Sequence, residues 1–373
     1  MKLLLVSPFT STSGSAIRFW NIALQFKARG YDVVYTDRGS RSGRPLYQTK
    51  GISYRTAPVV SPLFLDILLS TLFNLCLLLR HHDCCLYYAL KPAPNNGFPA
   101  LVAKFLGKKV VLDIDDLDYA YLSQGIKRSV SRFFFRLFPR FFPMVTCHTS
   151  RLLGYCRETL NINDSRLYFL KQGVSSEFLR INPDNHQPKK KSILYVATLG
   201  LTSDFEDLVP MLERICSLHI DATITIAGDG PRRAAFEESM NQKGLSRAVS
   251  FIGQVDHDKL PEIMASHYIG VNYMRPNEVN DSRAILKIRE YLACGLHVVC
   301  NDTGDAQDFA AVAHVEHDID GMERRIIQLL DRSVEKNTAG RRFVEQRYDW
   351  NAIFDDFIKT LQDKKLLLKK DHL

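Results

Sequence analysis

The chain has 373 residues, too many for one ordinary core and enough for two. Hydrophobic residues at 46% and charged residues at 24% exclude wholesale disorder. The net charge of +8 is uneven: residues 1–180 carry 24 Lys/Arg against 11 Asp/Glu (net +13) and residues 181–373 carry 25 against 30 (net −5), so the first half is expected to meet an anionic partner.

Residues 3–7 read as a buried strand rather than a signal peptide, because the apolar run is too short for one. A Gly/Ser/Thr loop (TSTSGSA) follows, then a helix over 18–29 stopped by Gly30, and a strand over 32–36. The run 59–79 approaches membrane-spanning length but contains Asp66, Ser70, Thr71 and Asn74, so a buried or surface-lying helix is expected there. Strands at 84–89, 109–114, 144–146 and 166–170 alternate with helices at 97–106 and 123–142. The polar stretch PDNHQPKKK (183–191) reads as a linker between a domain at 1–182 and another at 192–345. In the second domain, strands at 192–197, 223–227, 249–252, 269–273 and 298–301 alternate with helices at 204–217, 231–242, 258–265 and 284–294. A last helix over 344–361 opens a C-terminal segment (346–373) able to pack back on the first domain. The expected fold is α/β, with two Rossmann-like doubly wound domains facing across a cleft. The eight cysteines, none in a CxxC pair, read as free thiols of a reducing cytoplasm.

Parallel sheets bind ligands at the carboxyl ends of their strands. Gly14 and Ser15, with Arg18 close behind, sit there ahead of a helix; without a GKS/GKT or GxGxxG pattern, a phosphate cradle and a plain turn are both open. Gly228 and Gly230 flank Asp229 in a turn that spacing alone explains as a tight strand-to-helix connection. In NDSRAILKIREYLACG, the residues Arg283, Lys287 and Glu290 fall at i, i+4 and i+7 of one helix face. Two cations can hold a pyrophosphate and a carboxylate can accept two ribose hydroxyls; an exposed salt-bridge stripe is the alternative. Asp113, Asp115, Asp116 and Asp118 crowd the end of a strand, so at least one carboxyl is expected to titrate high. One of them can act as a general base or position an acceptor, an oxygen-ligated metal is a further reading, and a solvated acidic loop is the plain one. In IKRSVSRFFFRLFPRFF, Arg128, Arg132, Arg136 and Arg140 recur every four residues beside phenylalanines, as a membrane-surface helix does; a helix packed on its own domain is the alternative.

The run AGDGPRRAAFEE, FIGQV, LPEIMASHYIGVNYM and LKIREYLACGLHVV resembles the GT-B glycosyltransferases, in particular retaining family 4 (glycosyl transferases group 1), and MKLLLVSPF…GSAIRFWNIALQFKARGYDVV, QGV (172–174) and YDW (348–350) extend the resemblance over nearly the whole chain. The resemblance implies transfer of a hexose-type sugar from a UDP- or GDP-sugar co-substrate to a hydroxyl of a glycan or glycolipid acceptor, with retention and with no essential cofactor or metal. It implies that Glu290 binds the ribose, that the turn at 228–230 lies near the base, and that Lys287 and Arg283 face the diphosphate, Lys287 acting in catalysis. Asp115 stands where the family has His, so Asp115 and Asp116 are the candidate catalytic carboxylates. Ser282 stands where the family has a second Glu in the donor site, and TLGLTSDFEDL (198–208) lacks the family's Arg/Lys pair, so Arg275, Arg283, Lys287 or the first domain must supply that charge. The missing second Glu and the acid in place of His leave stereochemistry open, the missing Arg/Lys pair favours a non-catalytic GT-B-like subunit, and a nucleotide-sugar epimerase of GT-B fold is a further alternative. The expected partners are a nucleotide-sugar, a glycan or glycolipid acceptor and an anionic membrane surface, not nucleic acid. The expected location is cytoplasmic, peripheral on the inner face of the plasma membrane.

Overall fold

The computed structural model describes residues 1–10, 14–39, 49–200, 203–333 and 335–368. Residues 11–13 of the first Gly/Ser/Thr loop and residues 201–202 of TLGLTSDFEDL lie outside the described residues. The chain forms two compact units, one of 1–172 with 351–373 and one of 173–350.

The first unit runs β1 (Lys2–Thr10), α1 (Gly14–Ala28), β2 (Asp32–Arg38), β3 (Ser53–Ala57), α2 (Leu63–Arg80), β4 (Leu86–Leu90) and α3 (Pro94–Phe105). It continues with β5 (Lys109–Ile114), α4 (Ile126–Leu137), β6 (Met144–Cys147), α5 (Ser150–Glu158) and β7 (Leu167–Phe169). Its seven strands are parallel and ordered β3-β2-β1-β4-β5-β6-β7. The central strands are buried on both faces, which is why Leu3–Val6 and Val110–Leu112 read as unbroken apolar runs.

The second unit runs α6 (Ser176–Arg180), β8 (Ser192–Val196), α7 (Phe205–Leu218), β9 (Thr223–Ala227), α8 (Arg233–Gln242), β10 (Val249–Gly253), α9 (Leu260–Ala265) and β11 (Ile269–Asn272). It continues with α10 (Leu286–Ala293), β12 (His297–Asn301), β13 (His314–Glu316), α11 (Ile319–Leu330) and α12 (Thr338–Arg347). Its six parallel strands are ordered β10-β9-β8-β11-β12-β13. Both orders reverse direction once, between β1 and β4 and between β8 and β11, which are the switch points where doubly wound sheets bind ligands. The last helix, α13 (Trp350–Asp363), rejoins the first unit from Asn351 onward: Phe354 packs edge-to-face on Phe26 at 4.7 Å, and Arg29 pairs with Asp355.

Two expected elements differ. The helix expected at 344–361 is two helices, because Tyr348 leaves helical geometry and Asp349 pairs with Val174 in a β-bridge. The helix expected at 284–294 starts only at Leu286, because the Asp305 carboxylate accepts from the Ile285 amide and holds the preceding residues extended.

Candidate functional site

In the second unit, the turn after β9 lies against the loop leaving β8. Leu199 donates its amide to the Asp229 carbonyl at 3.0 Å, and Arg232 donates to the Leu199 carbonyl at 3.1 Å. Gly228 and Gly230 have φ of 144° and 157°, and a Cβ on Gly228 would lie 1.8 Å from the Ala197 carbonyl oxygen. Both glycines are therefore required by backbone approach.

Glu290 is buried on α10, with Oε2 accepting from Lys287 Nζ at 2.6 Å and Oε1 lying 3.3 Å from His257 Nε2. Burial pushes its carboxyl up, but Lys287 and His257 outweigh burial and hold it below the usual range. An ionised carboxylate with two engaged oxygens is an acceptor set for two hydroxyls. Arg283 does not share this helix face, contrary to the i, i+4, i+7 reading. It lies before α10 in extended backbone and donates to Asn280 Oδ1 at 3.0 Å. Ser282 is buried in the same turn and its hydroxyl donates to the Val279 carbonyl at 2.7 Å. The inward cation of α10 is Arg289, ion-paired with Asp305 and lying 4.8 Å over the Phe309 ring.

Asp204, Glu206 and Asp207 place three acids at the start of α7. Arg275, after β11, reaches all three: its amide donates to Asp204 Oδ2 at 2.9 Å, and Nη2 lies 2.6 Å from Asp207 Oδ1 and 3.1 Å from Glu206 Oε1. Arg232, just past the glycine turn, also pairs with Glu206. Two guanidinium groups thus converge on the β8/β11 switch point from neighbouring loops.

In the first unit, the four aspartates split into two groups. Asp113 faces inward, ion-paired with buried Arg18 and bonded by the Thr146 hydroxyl. Arg18 is accordingly a core partner, not a cation of the glycine loop. Asp115, Asp116 and Asp118 gather on buried Lys91, whose Nζ lies 3.1, 3.6 and 2.5 Å from them. Gly14 and Ser15 open α1, and the Ser15 hydroxyl bonds Asp115. Among the described residues, nothing lies within 4 Å of where a Cβ on Gly14 would stand. Burial raises the Asp118 carboxyl to about 7, with Lys91 opposing and Asp115 and Asp116 adding to the rise. Burial also acts to raise Asp115, but Lys91, His148 and Arg18 outweigh it and hold that carboxyl low. Asp115 is thus the ionised member and Asp118 the one that titrates near neutrality. Among the described residues, no group of three or more His, Cys, Asp or Glu side chains is arranged to hold a metal ion.

On α4, Arg128 and Arg132 lie 6.0 and 5.5 Å over the Tyr119 ring, Arg136 is half-buried and Arg140 is exposed in the turn after the helix. Sequence reasoning missed Lys91, His148 and His257. All three follow the carboxyl end of a strand (β4, β6 and β10), so the same positional rule that flagged the aspartates applies to them.

Residues 190–332 match a family model described as glycosyl transferases group 1. The chain is 25% identical over 210 residues to the phosphatidylinositol N-acetylglucosaminyltransferase gpi3 subunit of Schizosaccharomyces pombe, covering 54% of this chain and 44% of that protein. It spans less than half the length of the curated relatives it matches. Among solved structures it is similar to sucrose-phosphate synthase from Thermosynechococcus elongatus, with a TM-score of 0.78, 15% identity, and coverage of 97% of this chain and 98% of that one. It is also similar to Anabaena Alr3699/HepE in complex with UDP, with a TM-score of 0.75, 16% identity, and coverage of 97% and 100%. The fold is GT-B, with two Rossmann-like halves.

Proposed function

We propose that this chain is a glycosyltransferase that moves a sugar from a nucleoside diphosphate sugar, UDP-linked in our reading, to a hydroxyl of a membrane-bound, lipid-linked acceptor. The observation that carries the proposal is the buried Glu290 carboxylate, ionised and held by Lys287 and His257 at the carboxyl edge of the second sheet. Lys287 and His257 are the more exposed partners, so a ribose reaches Glu290 by displacing them and replacing their contacts with two hydroxyl donors. The turn at Gly228 and Gly230 lets the chain pass close to the base. The UDP complex of a structural neighbour and the sugar-transferase name of the yeast relative support this donor class and a lipid acceptor.

Departure of the nucleoside diphosphate leaves negative charge that the protein must stabilise. Arg275 and Arg232 are the cations placed to do so. Their carboxylate partners on α7 hold them in the absence of donor, and the diphosphate takes over those contacts on binding; Lys287 adds a third cation. On the acceptor side, Asp115 and Asp116 are the candidate base or positioning groups, oriented by Lys91 and Ser15. A non-catalytic subunit that binds nucleotide is the second reading, favoured by the acidic start of α7.

Calorimetric titration with UDP, GDP and ADP, repeated on Glu290→Ala, tests the donor site. Binding of one nucleotide, lost in the variant, is expected; no binding to any of the three overturns the proposal. Turnover of a UDP-sugar, abolished in Arg275→Ala with nucleotide affinity less affected, separates the enzyme from the non-catalytic subunit.

A further inference from the structure

We infer that α2, α3 and α4 form a face that rests on an anionic lipid bilayer, with α2 lying in the plane of the surface rather than crossing it. The inference rests on the membrane-bound acceptor proposed above and assigns the surface that reaches it. Among the described residues, α2 is the one helix long and apolar enough to span a membrane. Its polarity is inverted relative to a surface helix of a soluble protein. The polar residues point inward: Asp66 pairs with Arg38 and accepts from the Val60 amide, Ser70 donates to the Asp66 carbonyl, and Asn74 donates to the Asn95 carbonyl. The outward stripe is apolar, with Phe64 73%, Leu68 52% and Leu79 63% exposed and Leu72 and Cys76 between them.

The stripe does not end with α2. On α3, Phe98, Val102 and Phe105 are exposed at helical spacing, and on α4 so are Ile126, Val130 and Phe133. Phe98 joins the two helices, packing edge-to-face on Phe134 at 5.6 Å and on Phe138 at 5.2 Å. Outside residues 59–141, the large exposed apolar side chains of the described residues are limited to Leu218, Ile220, Ile252 and Leu368. A patch of this extent marks a contact surface.

Charge selects the occupant. The three helices carry one acid, Asp66, and it is buried and paired. Arg80, Lys104, Lys127 and Arg132 are exposed on the same helices. Apolar stripes bordered by cations suit acyl chains beneath anionic headgroups. A second copy docked by symmetry would set these cations against themselves. A spanning α2 would carry Asp66, Ser70 and Asn74 into hydrocarbon and break their contacts with the first unit.

The test uses the full chain with no donor present. Cys76 is the exposed thiol among the described cysteines, so it takes an environment-sensitive fluorophore. The protein is mixed with vesicles of phosphatidylcholine alone and of phosphatidylcholine with phosphatidylglycerol. Binding to the anionic vesicles with a blue-shifted fluorophore is expected. Leu68→Glu with Leu72→Glu should weaken binding more than about tenfold. Lys127→Glu with Arg132→Glu should weaken it by roughly twentyfold or more, at about fivefold per charge removed. Thermal melts and UDP affinity confirm that both variants fold. Absence of vesicle binding, binding with unshifted emission, or a dimer in solution that Leu68→Glu with Leu72→Glu dissolves would each overturn the inference. Vesicle binding without nucleotide binding would instead overturn the donor reading and leave this one standing.

Discussion

At the residue scale, what decides chemistry is which buried carboxylates stay ionised. Glu290 does, because Lys287 and His257 together outweigh its burial. Glu290→Gln keeps the shape and removes the charge, so in the proposed donor site two charge-assisted bonds become neutral ones; affinity should fall roughly ten- to hundredfold in calorimetry, and the melting temperature should fall as well because the ion pair with Lys287 is lost. Asp118 behaves in the opposite way. Its folded value, about 7, lies above the ordinary 3.8, so the fold favours its protonated form. The stability it contributes is fully present below about 4 and is lost as pH rises through about 7. Asp118→Asn should therefore flatten the decline in melting temperature between about pH 4 and 7, the window between its unfolded and folded values; an unchanged slope would place the high carboxyl elsewhere in the cluster. The aspartates were legible as a group, since charge crowding at a strand end shows in the sequence. Their division between Arg18 and Lys91 was not, because those cations come from α1 and from the end of β4, far away along the chain.

At the element scale, strands buried on both faces were read well, since Leu3–Val6, Val110–Leu112 and Val298–Cys300 are continuous apolar runs. The edge strands β3 (SYRTA) and β13 (HVE) were missed because a short, half-exposed strand carries little periodicity. The start of α10 was misread for another reason: it depends on Asp305, which follows β12 and caps the Ile285 amide from outside the helix. The turns give a paired prediction. Gly228→Ala puts a Cβ against the Ala197 carbonyl at a φ few side chains adopt, and should destabilise the second unit by about 3 kcal/mol or more. Gly154→Ala, inside α5 with nothing near the added Cβ, should stabilise the first unit by about 0.5–1 kcal/mol. Denaturant melts of both variants check the signs, and equal effects would mean that backbone approach does not constrain the turn after β9.

At the scale of the whole molecule, the chain leaves the first unit at Gln172, completes the second by Trp350, and returns. The return is an apolar contact: Phe354, Phe357 and Leu361 are fully buried, and Phe354 and Phe357 both pack on Phe26 of α1. Polar contacts border it, with Tyr168 donating to Asp356 and Arg29 pairing with Asp355. The first unit is therefore incomplete without the helix that begins at Trp350, although its sheet lies in residues 1–172. Each buried side chain of this helix stabilises the unit by about 1.5–3 kcal/mol, so losing all three removes a large part of the margin of about 5–15 kcal/mol that a domain ordinarily holds. A chain ending at Trp350 retains every strand of both sheets. In scanning calorimetry, its first unit should melt well below that of the full chain while the second keeps its transition and its nucleotide affinity. If both transitions moved together, the two units would fold as one cooperative body, and the closing helix would stabilise the whole chain rather than the half it completes.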